Sequence, residues 1–256
     1  MRPLILVTND DGITAGGICA LAGALLPFGE VVVVAPDSPQ SGMGHAVTIN
    51  TILRLEQQRF PVAGIDRAWS TSGTPADCVK LAIFQLLDRR PDLIVSGINH
   101  GSNSSINVIY SGTMSAAVEG AVEGIPSIGF SLCDYRADAD FSVCLPYVEK
   151  LVGEVLGRGL PQGTCLNVNI PKLPPEEIRG IRICRQSGGY WADAFERRET
   201  PGGREYFWLT GNFVNPDQGT DTDEWALANG YVSVVPTQFD LTAHHAIPTL
   251  NTWNLG

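Results

Sequence analysis

Leu4-Ile5-Leu6-Val7-Thr8-Asn9-Asp10-Asp11-Gly12 is the stretch on which the fold turns. A short apolar strand runs straight into two adjacent carboxylates and a glycine. Side by side the carboxylates repel, and each would lose solvation at the edge of a packed sheet. A divalent ion resolves both costs, because hard cations take oxygen ligands from Asp and Asn. The competing reading of this fragment alone is an Asp-Asp-Gly turn solvated at a strand end.

Outward from this strand, strands and helices alternate. Ile18, Leu21, Ala22, Leu25 and Leu26 fall on one helical face. Val31 to Ala35 is apolar throughout, as expected of a parallel strand covered on both sides, and it stops at Pro36-Asp37. Thr74-Pro75-Ala76-Asp77 reads as a helix start, with Thr74 as N-cap, Pro75 at the first helical position and Asp77 at the positive end of the dipole. Its buried stripe is Val79, Ala82, Ile83, Leu86 and Leu87. Leu93-Ile94-Val95 is the next strand, and a small-residue helix follows Ser111-Gly112-Thr113. Ser127–Ser131 and Leu166–Ile170 read as further strands, separated by a helix carrying Val148, Leu151, Val152, Val155 and Leu156. This order predicts an α/β fold with a doubly wound, mainly parallel sheet.

From about Gly188 the pattern changes. Tyr190, Trp191, Phe195, Tyr206, Phe207 and Trp208 flank Thr200-Pro201-Gly202-Gly203-Arg204, the spacing of a long aromatic hairpin. A two-stranded hairpin is marginal in water, so this arm is expected to pack on something, such as another subunit. Tyr231 to Val235 returns the chain to the sheet. The 256 residues suit one α/β domain over 1–256, with a protruding arm at roughly 188–215.

Apolar residues make up 44% of the chain and charged residues 17%, the balance of a globular protein with a substantial core. The net charge of −10 argues against nucleic-acid polymers and anionic membranes as partners. It leaves room for a small anionic substrate, since a bound metal reverses the local field. No stretch approaches the roughly 20 apolar residues that span a bilayer, and the first apolar run is too short for a signal peptide. Cys19, Cys78, Cys133, Cys144, Cys165 and Cys184 are scattered without zinc spacing. Free thiols in a reducing compartment, hence a cytoplasmic protein, are the expectation.

In doubly wound sheets ligands bind beyond the carboxyl ends of strands at the topological switch point. Asn9-Asp10-Asp11, Asp37 through Ser41-Gly42, and Ser96-Gly97-Ile98-Asn99 each follow such a strand, and together they point to one crevice. Opposite the Asp pair, Asn99 suits a neutral oxygen ligand. Tyr110-Ser111-Gly112-Thr113 opens a helix, where free N–H groups and the dipole favour an anion such as phosphate; a plain Ser or Thr N-cap needs no ligand. There is no G-x-x-x-x-G-K-[ST] and no G-x-S-x-G, and Gly12, Gly16 and Gly17 are misspaced for G-x-G-x-x-G. His45, just past the Ser41-Gly42-Met43-Gly44 segment able to close as a lid, and His100 are candidates for protonating a leaving oxygen, against a plainer role as polar loop residues. His244 and His245 read as structural.

Ile5–Gly12, Val34-Ala35-Pro36-Asp37 with Ser41-Gly42, Ser96-Gly97-Ile98-Asn99 and Tyr110-Ser111-Gly112-Thr113 appear in the order seen in the SurE family of survival-protein 5′/3′-nucleotidases. Gly219-Thr220-Asp221-Thr222-Asp223, Asn229 to Val234 and Asp240-Leu241-Thr242 also resemble that family. The resemblance implies a Rossmann-like core and a metal-dependent phosphomonoesterase acting on nucleoside 5′- and 3′-monophosphates, with short polyphosphate as a further substrate. It implies Asp10, Asp11, Ser41 and Asn99 as ligands of one divalent ion (Mg, Mn or Co). Asn9, Asp10 and Asp11 become the catalytic candidates, and Gly42, Ser111, Gly112 and Thr113 the phosphate binders. The hairpin arm would be exchanged between subunits of a homodimer or homotetramer. Many members carry Gly-Asp-Asp-Val where this chain has Ser105-Ile106-Asn107-Val108, a departure that bears on loop shape and substrate preference. The rival readings are a non-hydrolytic nucleotide or metabolite sensor on the same scaffold, a scaffold oligomer, and a nucleotide-sugar transferase.

Overall fold

In the computed structural model, which describes residues 2–255, the first half of the chain lays down the centre of the sheet. Strand β1 (Leu4–Thr8) is followed by helix α1 (Gly16–Leu25) and strand β2 (Glu30–Pro36). Then come β3 (Leu55–Gln57), β4 (Ala68–Thr71), α2 (Pro75–Leu81), β5 (Leu93–His100) and α3 (Gly112–Val122). The second half adds β6 (Ser127–Leu132), α4 (Leu145–Arg158), β7 (Thr164–Ile170) and β8 (Ile181–Ile183). It ends with β9 (Tyr190–Glu199), β10 (Glu205–Val214), α5 (Asp223–Ala228), β11 (Val232–Gln238) and α6 (Ile247–Leu250).

A nine-stranded sheet runs in the order β3-β4-β2-β1-β5-β6-β7-β11-β8. The six strands from β4 to β7 are mutually parallel. β3 pairs antiparallel with β4, and β11 antiparallel with β7. The strand order reverses between β1 and β5, so the carboxyl ends of these two neighbours flank the crevice of a doubly wound sheet. The alternation of side chains along each strand sorts the core. Ile5, Val7, Val33 and Val95 face Ile18, Leu21 and Leu25 of α1 and Val148, Val152 and Val155 of α4. Leu6, Val32, Val34 and Ile94 face Cys78 and Val79 of α2 and Ala116 of α3. The doubly wound sheet read from the sequence is the sheet observed.

Thr74 and Asp77 form a reciprocal capping box at the start of α2. Beyond Leu81 this helix widens into a single π turn over Ala82–Leu86, closed by the Leu87 amide donating to the Ala82 carbonyl at 3.0 Å. The edge strands β3 and β8 have three residues each, too few for periodicity to show them. β9 and β10 form a separate antiparallel pair from Tyr190↔Val214 to Glu199↔Glu205, with nearly every residue exposed. Among the described residues no helix is long and apolar enough to cross a membrane, and all six cysteines are free.

Candidate active site

Each polar cluster at a strand end is set by its own local structure. After β1, Asn9 closes the turn by donating its amide to the Gly12 carbonyl at 2.9 Å, while its Oδ1 is buried without a partner. Asp10 points under the first turn of α3, where Thr113 Oγ1 donates to its Oδ1 at 2.5 Å. Gly112 makes this approach feasible: a Cβ there would lie 2.6 Å from the Asp10 Cβ and 2.9 Å from Oδ2. After β5, the ladder slips between Ser96 and Asn99. Gly97 sits at φ +124° with the Phe130 carbonyl 2.3 Å from where its Cβ would be, so only glycine allows this irregularity, which re-aims Asn99. Asn99 Nδ2 donates to the carbonyls of His100 (3.2 Å) and Gly101 (2.9 Å), leaving Oδ1 for a cation.

These clusters meet. A crevice of 240 Å³ is lined by Asp10, Ser41, Asn99, His100 and Ser111 on its inner side and by Asn107, Tyr110, Tyr135 and Trp191 at its mouth. Gly42, at φ +74°, also lines it. Four expected residues are not among its lining: Asn9, Asp11, Gly112 and Thr113. Thr113 is occupied with Asp10, and the Ser111 hydroxyl accepts from the Met114 amide as the helix N-cap at 3.0 Å. The anion-favouring element here is therefore the main chain of the first turn of α3, not a pair of free hydroxyls.

The electrostatics suit a hard cation. Burial pushes the Asp10 carboxyl up to about 6; the Thr113 hydrogen bond opposes this, and the Asp11 charge adds to it. Asp11 is raised by burial and drawn back by His100 beside it, and its Oδ2 is buried without a partner. Among the described residues no three His, Cys, Asp or Glu side chains gather as a metal group. The candidate set has two carboxylates, a hydroxyl and an amide, and this all-oxygen donor set, with the orphaned Asp11 Oδ2, fits Mg²⁺-like rather than zinc-like coordination.

The loop carrying Ser41 is pinned at its far end. His45 Nε2 lies 2.8 Å from Glu119 Oε2, and Lys80 Nζ lies 2.6 Å from Glu119 Oε1. Burial opposes ionisation of Glu119, but hydrogen bonds from His45 and Lys80 outweigh it and hold the carboxyl below its ordinary range. His45 thus fastens the loop to α3 and does not line the crevice, whereas His100 does, with its ring edge-on to Phe141.

Sequence reasoning missed the buried polar platform beneath the 101–105 loop. Asn103 donates to Ser131 Oγ (2.8 Å) and takes a hydrogen bond on its carbonyl from Asn167 (2.8 Å), and its own amide donates to Asn169 Oδ1 (2.8 Å). The signal was present in Leu166-Asn167-Val168-Asn169-Ile170, where asparagine alternates with apolar residues in a buried strand. Ser105 holds φ +53°, a left-handed conformation that glycine adopts without strain. The Ser105 amide donates to Asp223 at 2.8 Å, and its one hydroxyl proton is shared between the carbonyls of Ser187 (3.2 Å) and Gly189 (3.1 Å).

A doubly wound sheet with an oxygen-donor crevice at its switch point, next to a helix N-terminus, is the arrangement in which α/β proteins bind ligands and anions. A family model described as survival protein SurE matches residues 5–193, and the chain belongs to that family. It is 61% identical over 254 residues to a protein of Flavobacterium psychrophilum named 5′-nucleotidase SurE, covering 99% of this chain and 98% of that one. A protein of the same name from Chlorobaculum tepidum is 44% identical, covering 99% and 95%. The crystal structure of the SurE protein from Aquifex aeolicus superposes with a TM-score of 0.83 at 39% identity, covering 97% of this chain and 98% of that one.

Proposed function

We propose that this chain is a metal-dependent 5′-nucleotidase that hydrolyses nucleoside 5′-monophosphates to nucleoside and phosphate. The observation that carries the reading is that Asp10, Ser41 and Asn99, which lie far apart in sequence, line one crevice beside the N-terminus of α3. The names of the SurE relatives support it. The reading extends to 3′-monophosphates and short polyphosphate, whose terminal phosphate presents the same oxygens.

One divalent cation per subunit, magnesium, manganese or cobalt, would be held by Asp10, Asp11, Ser41 and Asn99. When bound it supplies Lewis-acid polarisation of a phosphoryl oxygen and an acidified water. The chain's own residues do the rest. Thr113 and the first turn of α3 favour the ionised form of Asp10, and Asn9 holds the turn that presents both carboxylates. Main-chain N–H groups at Ser111, Gly112, Thr113 and Gly42 bind the phosphate and the charge that develops on it.

The chain is read as one domain over 1–256, with the arm at 188–215 within it. The arm exposes Phe195, Phe207 and Trp208, a surface that a second copy of the chain would cover, giving a homodimer or homotetramer. Nucleic-acid polymers and membranes are not partners on this reading, in view of the charge of −10. The six free cysteines, four of them buried, support reading the protein as cytoplasmic.

The test is phosphate release from a nucleoside monophosphate panel by metal-stripped protein, with and without added manganese or magnesium. Metal-restored release, lost in Asp10→Asn, is the expected result. A folded protein that binds nucleotide and releases nothing with any metal would replace the enzyme with a sensor.

A further inference from the structure

Trp191 is an exposed aromatic that the fold nonetheless holds still. It keeps 41% of its surface accessible, yet its Nε1 donates to Asn107 Oδ1 at 2.7 Å and its ring meets Phe213 at 5.7 Å with the planes 64° apart. The first contact fixes the indole to the loop that floors the crevice mouth. The second fixes it to the opposite strand of the arm. Behind these contacts, Ser105 hydrogen-bonds the Ser187 and Gly189 carbonyls, so the root of the arm is fastened to the same loop.

The ring also stands at a boundary. Trp191, Tyr110 and Gly42 line both the 240 Å³ crevice and a neighbouring cavity of 580 Å³ formed with Asp193 and Leu209 to Gly211 of the arm. The inner crevice alone falls below the roughly 300–1,000 Å³ usual for a small-molecule site, whereas the two cavities together fall within it. A nucleoside monophosphate has its phosphate and its base at opposite ends of the ribose. With the phosphate end at Asp10, Ser41 and Asn99, the base end extends past Trp191 toward the second cavity.

We infer that Trp191, held by Asn107 and Phe213, is the platform on which the substrate's nucleobase stacks, which makes the root of the arm part of the substrate site. The inference rests on the nucleotidase reading for the identity of the ligand. An indole presents a large π face that accepts any base, with strength rising from pyrimidine to purine. A platform already fixed by a hydrogen bond and an aromatic contact gives up little side-chain entropy on binding. The site would thus prefer nucleotides over base-free phosphate esters, and purines over pyrimidines.

The experiment separates the two readings. Methylene-phosphonate analogues of AMP and of ribose 5-phosphate, whose P–C bond resists hydrolysis, are titrated by calorimetry into manganese-supplemented wild type, Trp191→Ala and Trp191→Phe. The platform predicts that wild type binds the AMP analogue about 5- to 100-fold more tightly than the ribose analogue. That advantage falls to near unity in Trp191→Ala and is largely retained in Trp191→Phe, which keeps a π face but loses the Nε1 donor. Equal affinities in wild type, no binding of either analogue, or an advantage that survives in Trp191→Ala would each overturn the platform. Phosphate release from AMP itself, measured in parallel on wild type, decides the nucleotidase reading independently.

Discussion

The Thr113 hydroxyl donates to Asp10 Oδ1 across 2.5 Å, tying the first turn of α3 to the end of β1. The contact offsets only part of what burial does to Asp10, whose carboxyl titrates near 6 in the folded protein against 3.8 when unconstrained. The folded state therefore binds more protons than the unfolded chain between these values. The stability that this group contributes is fully present below pH 3.8 and is lost as pH rises through about 6. Above pH 6 the metal-free protein carries the full penalty, on the order of 2–3 kcal/mol. Asp10→Asn should therefore raise the melting temperature of the metal-free protein at pH 7.5 by several degrees while abolishing phosphate release. A variant that melts at or below wild type would count against this account.

Gly112→Ala tests the close approach of helix to carboxylate. The new methyl would stand 2.6 Å from the Asp10 Cβ, so either Asp10 or the start of α3 must shift. The expected cost is about 1–3 kcal/mol in stability. The expected loss in turnover is about 100-fold, because reacting groups tolerate little displacement. Urea denaturation and steady-state kinetics on one preparation measure both; wild-type turnover would show that Asp10 need not sit where it does.

Glu119 joins His45 and Lys80, partners that are themselves about one-third exposed. With its carboxyl held below the ordinary range, the stability it contributes is present above pH 4.5 and lost as pH falls through the folded-state value. Glu119→Gln should lower stability at pH 7 by about 2 kcal/mol, discounted from a fully buried pair for that exposure. The deficit should shrink below pH 4.5. His45→Gln, which spares the Lys80 pair, should weaken manganese affinity several-fold with little change in melting, because it loosens the loop that carries Ser41. Metal titration of both variants checks the order of effects.

Ser105 sets two opposing terms against each other. Its φ of +53° costs about 1–2 kcal/mol that glycine would not incur. Its hydroxyl, whose single proton is shared between the Ser187 and Gly189 carbonyls, returns about 1 kcal/mol. Ser105→Gly should thus be close to neutral, whereas Ser105→Ala keeps the strain, loses the shared bond and should destabilise by about 1 kcal/mol. In Ser105→Ala, limited proteolysis should cut the arm root faster; equal cleavage rates in Ser105→Ala and wild type would sever the proposed link between this loop and the arm.

Much of the fold was legible because its signals are local. Apolar runs such as Val31 to Ala35 report strands covered on both faces, and Thr74-Pro75-Ala76-Asp77 spells a helix start in adjacent residues. Asp10 and Asn99 were legible as site candidates because unpaired polar groups at strand ends contradict the apolar pattern before them. The platform of Asn103, Asn167 and Asn169 and the clasp of His45, Lys80 and Glu119 were not. Their partners lie tens of residues apart, and neither hydrogen-bond direction nor burial is encoded in spacing.

By itself the sequence determined the alternation of elements, the doubly wound sheet and the polar clusters at the carboxyl ends of its strands, because periodicity and capping act over a few residues. Only the tertiary structure decided how those clusters are used. It gave the Thr113 hydroxyl to Asp10 instead of the crevice, turned Asp11 toward His100, and brought Trp191 from the root of the arm to the crevice mouth. Those outcomes depend on which side chains packing brings within hydrogen-bond reach, a property of the folded chain as a whole.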